Sequence, residues 1–310
     1  MEEDEIAIAT NIDTKNIIIP PELGTPMYNA EDIELSYKGN RNTGIPYEKG
    51  TVSDLLMKES VECVFNYTQK DNLYGTADIG VLFKDGTILN FSITEGNITK
   101  RTKKLTKCMR NGSGTRDYGI EKNSEIEEKH KESYNLALEH RKKHFGEVPN
   151  KSWKRMTKKN PCPGAPPMCN YIAIKSSESW NNKDSEYKKQ KLLEIFDLNK
   201  DAQTNSDGII FYDKDKKTIS AIYKWSILPD FDLNNYLDTF TNDGIYIYHG
   251  KKEDFIVKTQ VKYNNGIIEG MQSKVDPSEW RIKPSTNYLS SWNYYVDLEK
   301  IFKMEKFNIS

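Results

Sequence analysis

The sequence predicts an α+β fold, or an irregular α/β one, in which a mixed β-sheet is flanked by helices. Three observations carry that expectation. Two runs with strand alternation straddle the turn signal Lys84-Asp85-Gly86. A second pair, Gly208 to Tyr212 and Thr218 to Ile227, repeats the plan. Helical runs fall between and around them without a regular strand–helix–strand period.

Taken in order, residues 1–50 read as an N-terminal arm, because Pro20-Pro21, Pro26 and Gly24, Gly39, Gly44 and Gly50 interrupt every apolar run. Residues 51–66 read as a helix capped by Thr51 or Ser53, with Val52, Leu56, Val61, Val64 and Phe65 on its apolar side. The first hairpin follows, Thr76 to Phe83 and Thr87 to Thr94. Residues 124–145 form a charged helix, and Pro149 to Pro167 a proline-rich loop. Tyr171 to Lys175 is expected as a short strand and Glu186 to Leu198 as a helix. The second hairpin, strands near Gly244 to Tyr248 and Phe255 to Tyr263, and an aromatic tail complete the chain. The division expected is an arm (1–50), a core (51–175) with a basic segment (100–160), and a C-terminal α+β part (176–310).

Composition narrows the function classes. The chain has 310 residues, 45 Lys+Arg against 46 Asp+Glu, and 11 % aromatic residues. The aromatic share argues for an ordered core despite a mean hydropathy of −0.77. No run of about 18 apolar residues exists, so no membrane span is expected. Met1-Glu2-Glu3-Asp4-Glu5 is acidic where a secretory leader would be basic and then apolar. Four cysteines fall far below the density of a disulfide scaffold, so the expected setting is intracellular and cytoplasmic. The net charge of −1 conceals an asymmetry: residues 100–160 hold eighteen Lys/Arg and eight Asp/Glu. A local excess of that size is the footprint of a polyanion partner.

The residues that suggest chemistry lie between 59 and 95. Glu59 and Glu62 stand three apart on the expected helix. Asp78 enters the first strand of the hairpin. Alternation on the second strand sets Leu89, Phe91 and Ile93 on one face and Asn90, Ser92 and Thr94 on the other. Carboxylates gathered with water and a substrate phosphate are how proteins hold Mg²⁺.

This order of residues resembles the PD-(D/E)XK nuclease superfamily, the fold of many type II restriction endonucleases. Its pattern is a helix glutamate, an Asp at a strand start, a hairpin, then acid-X-Lys on the next strand. Glu62, or Glu59, and Asp78 match the first two positions. Ser92-Ile93-Thr94 takes the third, with Ser92 in place of the acid and Thr94 in place of the lysine that normally orients the nucleophilic water. The resemblance implies a restriction-endonuclease-like core, a Mg²⁺-dependent endonuclease acting on double-stranded DNA, and a homodimer. Asp78, Glu62 and Glu59 would be metal ligands, and Ser92 and Thr94 the altered catalytic positions. Thr94 fits a Lys→Thr variant that binds without cutting, a migrated lysine (Lys100, Lys103 or Lys104), or a non-cleaving DNA-binding protein. A shifted motif at Glu95-Gly96-Asn97 is disfavoured by alternation, since Glu95 would share the face of Phe91 and Ile93.

Lys100, Arg101, Lys103, Lys104, Lys107 and Arg110 are the expected phosphate contacts. Arg116, beside the glycine-rich run Asn111-Gly112-Ser113-Gly114, is the expected reader of guanine in the major groove. His140 and His144 with Cys162 and Cys169 have the residue types of a zinc site, but the Cys-x6-Cys spacing is wide for one. Trp280, Tyr288, Trp292 and Tyr294 are read as core in preference to a base-stacking surface.

Overall fold

The computed structural model of the chain describes residues 25–37, 46–67, 77–95, 106–150, 152–153, 163–196, 198, 205–242, 244–270 and 275–310. In chain order the elements are β1 (Thr25–Met27), α1 (Ala30–Tyr37), α2 (Pro46–Leu56), β2 (Val61–Asn66), β3 (Ile79–Phe83), β4 (Ile88–Glu95) and β5 (Thr106–Ser113). Four helices follow: α3 (Gly114–Tyr118), α4 (Ser124–Phe145), α5 (Ala165–Asn181) and α6 (Ser185–Ile195). Then come β6 (Gly208–Asp213), β7 (Thr218–Ile227), β8 (Thr239–Asn242), β9 (Tyr246–Lys251), β10 (Asp254–Gln260), β11 (Gly266–Glu269), β12 (Arg281–Pro284), β13 (Ser290–Asp297) and β14 (Phe302–Lys306). The class is α+β with a mixed β-sheet and helices, as the sequence predicts.

Two compact units divide these elements, and the chain passes between them repeatedly. One takes the described residues of Met1–Leu105, Phe196–Pro229 and Glu299–Ser310, the other those of Thr106–Ile195 and Asp230–Leu298. That partition cuts across the arm, core and C-terminal part read from the sequence.

The first unit is built on a seven-stranded sheet of order β1-β2-β3-β4-β6-β7-β14. Every pairing is antiparallel except β4 with β6, which runs parallel from Phe91↔Gly208 to Glu95↔Tyr212. A parallel pair needs a long crossover, and here it spans the first of the second unit's two segments. The Asp85-Gly86 turn forms as expected, with Gly86 at φ 84, a left-handed value natural to glycine. Helix α2 lays Val52 and Leu55 on the face made by Val64, Ile79, Val81, Leu89, Phe91, Ile93 and Ile210. The opposite face carries a smaller cluster of Cys63, Phe65, Tyr67, Ala77 and Leu82.

Three expectations are corrected in this unit and the next. Residues 25–27 and 46–50 belong to β1 and α2, so that part of the proposed arm is built into the sheet and its helix layer. The expected helix over 51–66 ends at Leu56, and Val61–Asn66 is a strand. The β-branched and aromatic content of Val61, Val64 and Phe65 suits a pleated surface better than a helix. Tyr171 to Lys175 is helical within α5. Its buried positions Met168, Ile172, Ser176 and Trp180 recur every four residues, a period visible only across the whole element.

The second unit holds a five-stranded antiparallel sheet of order β5-β13-β10-β9-β8 and the short pair β11-β12. One face of the large sheet is covered. Tyr118 of α3 lies between the rings of Trp180, Trp292, His249 and Tyr294. Its hydroxyl is 2.8 Å from His249 Nε2 and 2.7 Å from Thr259 Oγ1, so one nitrogen of the buried imidazole and both hydroxyls bond to one another, while His249 Nδ1 has no protein partner among the described residues. Among the described residues no helix is long and apolar enough to cross a membrane.

Candidate active site at the end of the first sheet

Asp78 stands just before β3, where the β3–β4 ladder ends. Its backbone N–H donates to Phe91 O at 2.9 Å, and its carbonyl accepts from Tyr67 N at 2.9 Å. Beyond that point β3 offers no further ladder acceptor to β4. The Asp78 carboxylate fills the gap, with Oδ2 accepting from Ile93 N at 2.6 Å. Such a short bond to a backbone donor fixes the carboxylate and favours its ionised form.

The two expected helix glutamates are not beside it. Glu59 is exposed in the turn after α2. Glu62 is exposed on β2, next to the register shift between Val61 and Cys63. Neither shares a helix face with the other, because no helix runs through them.

The helix does bring a glutamate to the sheet, eleven residues earlier than Glu59. Glu48, in the first turn of α2, is 7 % exposed. Next to it, Tyr47 has its phenol pushed up to about 12, first by burial and then by the negative charges of Glu48, Asp78 and Glu95. Three carboxylates from a helix, a strand start and a strand end therefore bear on one half-buried ring. Lys214, in the β6–β7 turn, places Nζ 3.7 Å from Glu95 Oε1.

Alternation misled the reading of β4. Leu89, Phe91 and Ile93 do share a face, and that face is the one α2 covers. Glu95 continues the same row beyond the apolar residues, so it emerges on the side of the helix carboxylate. The polar row goes the other way. Ser92 is 2 % exposed and its hydroxyl accepts from Ser206 Oγ at 3.2 Å. Asn90 Oδ1 accepts from Tyr67 OH at 3.3 Å, and Asn90 N donates to Asp207 Oδ2 at 2.8 Å. Thr94 is half-buried and by alternation falls on Ser92's side. Of the shifted motif, Glu95 is thus in place, while Gly96 and Asn97 lie outside the described residues.

The signal for Glu48 was present in the sequence. Pro46 sits at the first helical position, which proline favours, and an acid follows in the first turn. Gly50 hid it by suggesting a loop. In the structure that glycine meets the Tyr212 ring, leaving no room for a side chain.

Among the basic residues, Lys100, Arg101, Lys103 and Lys104 lie outside the described residues. Lys107 and Arg110 fall in β5, of whose side chains at those positions nothing is described. Arg116 is not a loop residue reaching for a base. Its Nε donates to Asp117 Oδ1 at 2.7 Å and its Nη2 to Oδ2 at 3.0 Å. Asp117 is buried and also accepts from Ser113 N at 2.9 Å and Tyr294 OH at 2.7 Å. The run around Arg116 is correspondingly rigid. Gly112, next to last in β5, lies against Tyr294, where a Cβ would lie 2.4 Å from the ring, and Gly114 begins α3 against Trp292.

His140 and His144 do face each other on α4, ring centroids 4.4 Å apart. Cys169 is buried in α5 with its thiol pushed up to about 11 by burial, and Cys162 lies outside the described residues. No group of three His, Cys, Asp or Glu close enough to form a ready metal cage occurs among the described residues. Trp280, Tyr288, Trp292 and Tyr294 are all buried, which is the core reading.

Comparison with protein-family models, curated proteins and solved structures returned no match, so the chemistry is argued from this geometry alone.

Proposed function

We propose that the first unit is a Mg²⁺-dependent phosphodiesterase centre of an endonuclease acting on double-stranded DNA. The observation that carries this is the Asp78 carboxylate fixed by the Ile93 N–H at the end of the hairpin, with Glu48 and Glu95 near enough to act on the same Tyr47 phenol, though the three do not close into a metal cage. The order helix acid, Asp at a strand start, hairpin and acid on the next strand is the plan of the PD-(D/E)XK resemblance, with Glu48 in place of Glu62 and Glu95 in place of Ser92. Mg²⁺ keeps several waters and is commonly held by one or two carboxylates with substrate phosphate. The residues here suit that mode better than an all-protein cage. Asp78, with Glu48 or Glu95, would hold the ion, which when bound polarises the phosphate and lowers the pKa of an attacking water.

The chain's own groups have separable tasks. The Ile93 N–H holds the Asp78 carboxylate in one orientation. Tyr47 stays protonated at any working pH and serves as a neutral donor toward a phosphate oxygen. Lys214 approaches from the β6–β7 turn and stands in for the lysine that Thr94 does not provide, contacting phosphate or the nucleophilic water. A homodimer on a palindromic site remains the partner arrangement that the family likeness suggests.

The test is incubation of the full chain with mixed-sequence duplex DNA, with Mg²⁺ or with EDTA, and mapping of the ends. The expected result is cleavage that EDTA abolishes and Asp78→Asn lowers more than about a hundredfold, since loss of a ligand should exceed the cost of losing an outer-shell partner. Lys214→Gln should lower the rate without weakening duplex binding in EDTA. Duplex binding without cleavage, unchanged by Asp78→Asn, favours the non-cleaving DNA-binding protein instead.

A further inference from the structure

The second unit's sheet has a face that α3 and α5 do not use. Tyr118 reaches His249 and Thr259 on the covered face, while Ser177, Trp180 and Asn181 of α5 bond to Thr239 and the Leu237 carbonyl. Alternation sends the neighbours of those strand residues outward. The register aligns Phe240 with Tyr248, Tyr248 with Lys258, and Lys258 with Tyr295. A second row aligns Asn242, Tyr246, Gln260 and Asn293. On β13 this splits one aromatic run in two: Trp292 and Tyr294 go to the core, Asn293 and Tyr295 to the outside.

The outward side chains are ordered against one another. Phe240 and Tyr248 stack at 5.0 Å with planes 12° apart. Lys258 Nζ sits 3.8 Å from the Tyr246 centroid. Lys262 donates to Asn293 Oδ1 at 2.9 Å, Asn293 Nδ2 to Tyr295 OH at 3.1 Å, and Tyr295 OH to Gln260 Oε1 at 3.2 Å. No side chain of these two rows is acidic, and Lys258 and Lys262 are both cationic. Among the described residues the carboxylates near these rows, Asp254 and Asp297, lie at one end, where Asp254 accepts from Tyr236 OH and, after burial, both charges raise the Tyr236 pKa.

We propose that this outer face binds the unpaired bases of a single-stranded polynucleotide. Aromatic rings at the spacing of neighbouring strands offer successive platforms for bases, and every base has a π-face. The amides of Asn242, Gln260 and Asn293 supply donors and acceptors for base edges. Lys258 and Lys262 match the phosphate charge, and the acidic end sets the limit of the track. A polynucleotide uses all three chemistries, rings for bases, amides for base edges and lysines for phosphate. The inference does not rest on the metal site, and binding is read without Mg²⁺.

The experiment is fluorescence anisotropy of the full chain, in EDTA, with labelled oligo-dT and oligo-rU of about 12 nucleotides, within the range of known single-strand sites. The two oligonucleotides distinguish DNA from RNA, and a blunt duplex of equal length serves as competitor. Single strands should bind in preference to that duplex. The double variant Tyr246→Ala/Tyr248→Ala should weaken binding by about tenfold or more, as expected for lost base stacking. The matched pair Tyr246→Phe/Tyr248→Phe, which keeps both rings, should recover the binding that the alanine pair loses. Lys258→Gln should flatten the slope of log K against log salt by about 0.7, one phosphate contact on a single strand. Circular dichroism confirms that each variant is folded, and Lys258→Gln carries the test if the alanine pair is not. Absence of oligonucleotide binding, or binding that neither Tyr246→Ala/Tyr248→Ala nor Lys258→Gln distinguishes from the parent, overturns the proposal. So does concentration-dependent self-association that the face variants abolish, which would assign the surface to a second copy of the chain.

Discussion

The two units solve opposite problems with polar groups. In the first, the main core cluster is apolar, rich in Val, Leu and Ile, and carboxylates stand around it, Glu48 buried beside it and Asp78 where the β3–β4 ladder ends. In the second, polar groups go inside. Tyr118, His249 and Thr259 form one buried network, and Asp117 with Arg116, Ser113 and Tyr294 forms another. The difference teaches where to look for chemistry. A buried polar group whose partners are all fixed protein atoms specifies packing, because leaving it unmade would be costly. A carboxylate held by a backbone N–H at the end of a ladder, in a neighbourhood of like charge, meets the condition that favours a cation.

The largest way to sharpen this contrast is to remove a core ring from the second unit. Trp292, fully buried, touches Tyr118 and donates its indole N–H to Lys262 O at 3.0 Å. Trp292→Ala should cost about 3–5 kcal/mol in urea unfolding followed by circular dichroism. A smaller loss would mean that the aromatic cluster is loosely held. Next in size is Tyr118→Phe, which keeps the ring and strands His249 and Thr259. About 1–3 kcal/mol should go, the penalty of unpaired buried polar groups. A neutral outcome would show that the network contributes nothing beyond the ring.

The smallest effect per unit of change is in pH. Burial lowers the His249 pKa from 6.5 to about 3. An unfolded chain therefore takes up a proton below about pH 6.5 that the folded chain refuses until about pH 3. Stability from this residue is complete above the unfolded value and falls as pH drops through that window, by about 1.4 kcal/mol per pH unit for one proton. His249→Gln should flatten the slope of unfolding free energy against pH between 6 and 4. An unchanged slope would place the acid sensitivity elsewhere.

How far the sequence could be read follows from the range of the interactions involved. The β3–β4 hairpin was legible because alternation and the Asp85-Gly86 turn are local signals that agree. So was α4, with Asn123 at its cap accepting from Ile126 N and a long charged run. The first turns of α2, before Thr51, were missed because Gly50 looks like a breaker until the Tyr212 ring, brought by a strand far along the chain, is seen against it. Val61–Asn66 was misread because Val61, Val64 and Phe65 fit a helical spacing as well as a strand that is buried on both faces. Asp78 was found correctly as a strand-start acid. Its companions were not, since which face of β4 meets a glutamate depends on where α2 packs, and periodicity cannot say that. The exchange of chain between the two units, through the parallel β4–β6 pair, left no mark in composition.

The central claim is that the acids of the first unit act on the α2 side of the sheet, through Glu95 and not through Glu62. Cleavage of duplex DNA in Mg²⁺ by Glu95→Gln and Glu62→Gln, measured side by side with the parent chain, tests it most directly. The geometry predicts that Glu95→Gln loses cleavage by a hundredfold or so, on the scale of a disturbed metal site, while the exposed Glu62→Gln cuts like the parent. Loss confined to Glu62→Gln, with Glu95→Gln fully active, would contradict the account.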